Sequence, residues 1–168
     1  MEMKLNAGCG NDIRDGWINI DNYRNLPENV YKVDLEKHLP FGDNTFDYIL
    51  ASHCLEHTLR YADIIVEFHR ILKPNGILEI KTPIGLNPNP WHIRFLWKHS
   101  LDFFFIPNPE SLDLNCPKEK MFTLLNFKIE RSMWFRYHLK KYLHINITKI
   151  WTFPIGQKYG MFWILRKV

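Results

Sequence analysis

The stretch that most constrains this chain is Lys4 to Asp21, KLNAGCGNDIRDGWINID, where a glycine-spaced turn separates two short apolar runs. Leu5 to Ala7 read as the end of a buried strand, and Trp17, Ile18 and Ile20 as the next strand, stopping at Asp21. Gly8 and Gly10 bracket Cys9, and glycines at that spacing let the backbone bend sharply and come close to a ligand. In an open α/β sheet, ligands sit beyond the carboxyl ends of the strands. Gly8, Cys9, Gly10 and Asp21 therefore fall at one edge, a loop floor beside a carboxylate. That carboxylate suits a ribose diol, each charge-assisted hydrogen bond contributing roughly 1.5–3 kcal/mol. The stretch has the chemistry of a nucleoside-cofactor site.

A dinucleotide fingerprint runs G-x-G-x-x-G into a helix, with an acid about 20 residues further on. Here Ile13 stands at the last glycine position, and Asp12 and Asp15 put negative charge where a pyrophosphate would lie. Asp21 also comes too early for a full crossover helix. A nucleoside without phosphates fits better, and S-adenosylmethionine is one. The same short spacing predicts that the first crossover is a loop, leaving one face of the sheet thinly covered.

Downstream the pattern alternates. Residues 22–29 read as loop, and Val30 to Val33 as a strand followed by Asp34. Gly42-Asp43-Asn44 is a turn before the buried strand Phe46 to Ala51. Arg60 to Leu72 carries apolar residues at helical spacing, stopped by Lys73-Pro74-Asn75-Gly76. Ile77 to Ile80 is the next strand, ended by Thr82-Pro83. This is the rhythm of a parallel, Rossmann-like α/β sheet.

LNAGCGN, INID, VDLEKHLPFGDNTFDYILASHCLEH and ILKPNGILEIKTP, in that order, resemble the class I S-adenosylmethionine-dependent methyltransferases, in particular the small type 11 branch with a GCG loop. The resemblance covers residues 4–83. It implies that Gly8 and Gly10 shape the loop under the methionine part, with the backbone of Ala7 and Gly8 meeting its amino group. Asn6 and Cys9 belong to the same loop, and the family usually has an acid where this chain has Asn6. Asp21, with Asn22 beside it, would bind the ribose, and Asp34 and Leu35 the adenine. Ser52 and His53 would lie beside the reacting methyl. Asn89-Pro90-Trp91-His92-Ile93-Arg94 resembles the D-P-x-H-x-R segment of this branch. The resemblance also implies a last strand, Met161 to Leu165, running antiparallel between the fifth and sixth.

The second half is less regular. Leu124 to Ser132 reads as the end of a helix entering a strand, and Pro107, Pro109 and Pro117 mark a loop-rich stretch. Residues 137–160 form a basic insertion. The chain of 168 residues is expected to be one domain, with a cofactor-binding half over 4–83 and an acceptor-side half over 84–168. Three cysteines without framework spacing indicate a reduced, cytoplasmic setting. Residues 1–90 hold 9 Lys/Arg against 13 Asp/Glu, and residues 91–168 hold 13 against 5. Such asymmetry fits an anionic acceptor or surface near the second half, and equally a solvated basic face.

The expected function is methyl transfer to an oxygen or nitrogen of a small-molecule or glycan-like acceptor, lipid-linked if 137–151 makes a peripheral membrane contact. A non-catalytic cofactor-binding protein, an RNA methyltransferase and a nicotinamide oxidoreductase are the competing readings; no DNA partner is expected. A hydroxyl acceptor needs a base, and His53 and His92 are the candidates, His92 on the acceptor side and His53 on the cofactor side. Either could instead have a packing or capping role. His53 and His57 are spaced for a metal only if the segment is helical, and no metal is expected. Glu56 and His57 are expected to start or cap the helix. Trp91 and Trp97 are candidates to wall an acceptor pocket.

Overall fold

The computed structural model describes residues 2–23, 25–83, 91–106, 117, 119–131 and 159–168. Seven strands form one sheet: β1 Lys4–Ala7, β2 Ile18–Asp21, β3 Val30–Lys32, β4 Phe46–Ser52, β5 Leu72–Pro83, β6 Phe122–Arg131 and β7 Tyr159–Lys167. Their order is β3-β2-β1-β4-β5-β7-β6. The first five are parallel, and β7 runs antiparallel between β5 and β6. The family-based expectation for the last strand holds. Chain order reverses between β1 and β4, so the crevice at their carboxyl ends is the switch point where such sheets place ligands.

Register explains the two faces. Ile20, Ala7, Ala51, Ile80 and Trp163 are partners in one row across the sheet. The next row on the same face runs Ile18, Leu5, Ile49, Leu78 and Leu165. Against these rows pack Ile64, Ile65, Phe68 and Ile71 of α1, Tyr61–Ile71, with Leu39 and Leu96 beside them in one core. Between the two rows, on the opposite face, lies Asn19, Asn6, Leu50, Glu79 and Ile164. A period of two makes this segregation automatic once the register is set.

The first crossover is a loop, as its length requires. Side-chain amides take the place of a helix there. Asn19 Oδ1 accepts from Asn6 Nδ2 at 3.1 Å and from the Arg14 amide at 3.0 Å, while its Nδ2 donates to the Arg14 and Trp17 carbonyls. Trp17 lies edge-on to Tyr48 at 5.5 Å, with the Arg14 guanidinium 5.2 Å above it. On the same face Tyr48 donates to Glu79, whose other oxygen pairs with Lys81 Nζ at 2.7 Å.

Three expectations are corrected. Phe122 to Arg131 is strand throughout, with no helix entering it, because its residues pair with β7 over that whole length. Lys73 to Gly76 ends the helix but lies within β5 as a break in its ladder, the register jumping from Leu72 to Ile77. Glu56 and His57 do not begin α1; they belong to a separate 3-10 turn, Leu55–His57. Residues 137–158 of the basic insertion lie outside the described residues.

Candidate functional site

The loop after β1 folds back on the tip of β2. Cys9 N–H donates to the Ile20 carbonyl at 3.0 Å, and Gly10 N–H donates to Asp21 Oδ2 at 2.8 Å. Gly8 has φ +63, and a Cβ there would sit 2.4 Å from Cys54 Cβ, so both conformation and space demand glycine. Gly10 has φ +51 and nothing within 4 Å of a notional Cβ, leaving its backbone open to a ligand.

Gly8, Gly10, Asp21, Asp34, Leu35 and His53 border one cavity of about 400 Å³, with Asn22 on its rim. Asp21 Oδ1 accepts from the Asn22 amide at 2.7 Å, so each carboxylate oxygen takes one backbone N–H and keeps a lone pair for a diol. Asp34 Oδ1 accepts from the Glu36 amide at 3.1 Å, which holds that carboxylate at the cavity wall. These residues and the open backbone at Gly10 fit an adenosyl ligand: a diol acceptor, an adenine-side carboxylate and an unobstructed glycine floor.

His53 follows β4 with φ +55, a left-handed conformation that a non-glycine residue adopts at a cost of about 1–3 kcal/mol. Its amide donates to the Lys81 carbonyl at 2.8 Å, which holds the turn. Its ring borders the cavity, with Nδ1 3.4 Å from Glu56 Oε1. His92 does not border the cavity; its ring packs edge-on to that of His57 at 4.7 Å, and His57 does border it.

Four of the expected cofactor residues do not contribute side chains to this cavity. Strand alternation turns the Asn6 side chain to the opposite face, where Nδ2 donates to the Asp12 carbonyl at 2.6 Å and to Asn19. Ala7 is fully buried between β2 and β4. Ser52 stands one residue before the lining. The Cys9 side chain is buried, and burial, then the Asp21 carboxylate, pushes its thiol up. Cys54 is shifted the same way by burial and by the charges of Glu56 and Asp21, so both remain neutral thiols, as their packing role requires.

Tyr23, Glu36, His57 and Thr58 are additional. Tyr23 donates its hydroxyl to the Gly10 carbonyl at 2.9 Å and so closes the loop from outside. Glu36, His57 and Thr58 line the cavity. Their local sequence carries no signal, because they reach the site through loops whose paths depend on α1. Trp91 and Trp97 are 77% and 55% exposed and border no part of this cavity.

A methyltransferase-domain family model, type 11, matches residues 5–80. The demethylmenaquinone methyltransferase of Staphylococcus epidermidis is 42% identical over 40 residues, 24% of this chain and only 17% of that protein's length. Among solved structures, a SAM-dependent methyltransferase from Archaeoglobus fulgidus matches with a TM-score of 0.58 at 19% identity, covering 99% of this chain and 86% of that one. The [4+2]-cyclase SpnF matches with a TM-score of 0.60 at 20% identity, covering 99% and 74%. At these identities the structural likeness is one of fold. Residues 5–80 thus match the type 11 methyltransferase-domain family, and the sheet they help to build has the fold of S-adenosylmethionine-dependent methyltransferases.

Proposed function

We propose that this chain transfers the methyl group of S-adenosylmethionine to an oxygen or nitrogen of a small-molecule or glycan-like acceptor. The observation that carries the proposal is the meeting of the Gly10 amide and the Asp21 carboxylate, at 2.8 Å, on one cavity. In this reading Asp21 holds the ribose hydroxyls, Asp34 the adenine amine, and the Gly8–Gly10 backbone the methionine end. S-adenosylmethionine supplies a methyl on a sulfonium, and its displacement leaves a neutral thioether.

The protein's work is then alignment, which can contribute roughly 7–11 kcal/mol. A hydroxyl acceptor must also lose its proton as the new bond forms. In this reading His53 is the base, since its ring borders the cavity and Glu56 Oε1 lies 3.4 Å from Nδ1 on its other side. His92 acts through His57 rather than at the cavity.

Asp21→Ala is expected to weaken S-adenosylhomocysteine binding, measured by calorimetry, by about tenfold or more. An unchanged affinity would remove the site. His53→Ala is expected to keep that affinity and to lower methyl transfer to a panel of acceptors with labelled cofactor. Binding without transfer to any acceptor, in the unaltered protein, would favour a non-catalytic cofactor-binding role.

A further inference from the structure

Two motifs distant in sequence, His53-Cys54-Leu55-Glu56-His57 and Trp91-His92-Ile93-Arg94, are fastened together beside the cavity. The Arg94 amide donates to the Glu56 carbonyl at 3.1 Å, and its guanidinium Nε to the Leu59 carbonyl at 3.1 Å. His57 Nδ1 lies 2.9 Å from the Trp91 carbonyl. A carbonyl can only accept, so the proton is on Nδ1 and Nε2 carries the lone pair. That is the arrangement in which a histidine is oriented as a metal ligand by a backbone carbonyl.

Glu56 is the anomaly in this cluster. Its side chain is buried, and neither carboxylate oxygen accepts a hydrogen bond among the described residues. His53 Nδ1 approaches Oε1 to 3.4 Å. A carboxylate taken from water without donors is unfavourable unless another positive group meets it. One ligand atom from each of Glu56, His57 and His92 lies within 4.8 Å of the others, and the two imidazoles stand nearly perpendicular, at 89°.

We propose that Glu56, His57 and His92 bind a divalent transition-metal ion of the zinc class. Two imidazoles and one carboxylate are the donors such an ion takes, whereas magnesium and calcium prefer oxygen throughout. Ligand bonds of about 2.0–2.2 Å place tetrahedral donors roughly 3.5 Å apart, so the three side chains need close by only about an ångström. The ion neutralises Glu56 and clips residues 91–94 onto the wall of the cavity that His57 lines. Three protein ligands leave a fourth position for water or an acceptor oxygen.

The test is zinc titration by calorimetry on the full chain after chelator dialysis, with the far-UV circular dichroism spectrum measured in parallel as the control for folding. One equivalent of zinc is expected to bind and to raise the melting temperature. His57→Ala, His92→Ala and Glu56→Gln are each expected to weaken zinc by about tenfold or more, since even lost outer-shell partners cost 10–100-fold. Glu56→Gln is also expected to melt no lower than the metal-free parent, because it removes a buried charge. Should Glu56→Gln lose the folded spectrum, Glu56→Asp and the absorption spectrum of cobalt-loaded unaltered protein read the site instead. No zinc binding, or binding that all three variants retain, overturns the proposal. It stands or falls separately from methyl transfer, which none of these readouts requires.

Discussion

The two faces of the sheet solve the same problem with different materials. On one face, Ala7, Ile49, Ile80 and Trp163 are sealed under α1 by Ile64, Phe68 and their neighbours, and contact is almost wholly apolar. On the other, Asn6, Asn19, Tyr48, Glu79 and Lys81 form a layer of amides and charges, with Trp17 laid across part of it. The difference follows from the chain between β1 and β2. Too short for a helix, it has no apolar stripe to offer, so it must be tied down by hydrogen bonds from the strands beneath. Apolar packing is non-directional and tolerant. An amide pair holds one loop in one place, and here that loop carries Gly8 and Gly10.

The comparison breaks most visibly at Phe68, which is fully buried beneath the apolar face. Phe68→Ala is expected to cost about 3–5 kcal/mol in denaturant unfolding and to leave S-adenosylhomocysteine affinity nearly unchanged. Asn19→Ala works on the opposite face. It strips partners from Asn6, the Arg14 amide and two carbonyls, for about 2–3 kcal/mol, and is expected also to weaken S-adenosylhomocysteine because the glycine loop loses its tether. Equal cofactor affinity in these two variants would show that the amide layer has no special hold on the site.

Tyr48→Phe is a milder probe of the polar layer. Burial pushes Glu79 up, but Lys81 and the Tyr48 hydroxyl outweigh it and leave the carboxyl below its usual range. Losing the hydroxyl is expected to cost about 1 kcal/mol. The smallest effect is one of pH, on the helical face. Glu67 accepts from Arg70 and from the Leu39 amide, and these bonds, Arg70 first, hold its carboxyl at about 2 against an ordinary 4.5. A depressed carboxyl stabilises the fold fully above its unfolded value and loses that contribution as pH falls through the folded one. Unfolding midpoints should therefore drop between pH 4.5 and 2, and Glu67→Gln should flatten that window.

Much of the framework was visible in local pattern. Runs such as Phe46 to Ala51, bounded by Gly42-Asp43-Asn44, can only be buried strands, and the periodicity of Ile64, Ile65, Phe68 and Ile71 allows one helix face. Gly10 and Asp21 could be placed together because parallel strands put every loop that follows a strand at the same edge. The start of β6 reads as helix because the doubled Leu124-Leu125 interrupts the alternation that Asn126 to Glu130 keeps, and the register against β7 shifts at that point, between Leu124 and Asn126.

What the sequence by itself determined is therefore local: strand and helix positions, the glycine bend, and the carboxyl edge on which Asp21 and Asp34 stand. Tertiary structure alone decided side and company. Asn6 could be assigned to a face only after its register with Asn19 and Leu50 was set, since one step along a strand reverses a side chain's direction. Glu56, His57 and His92 met only because the segment after β5 returns to hydrogen-bond the turn after β4. No periodicity encodes a contact between loops that the packing of α1 brings together.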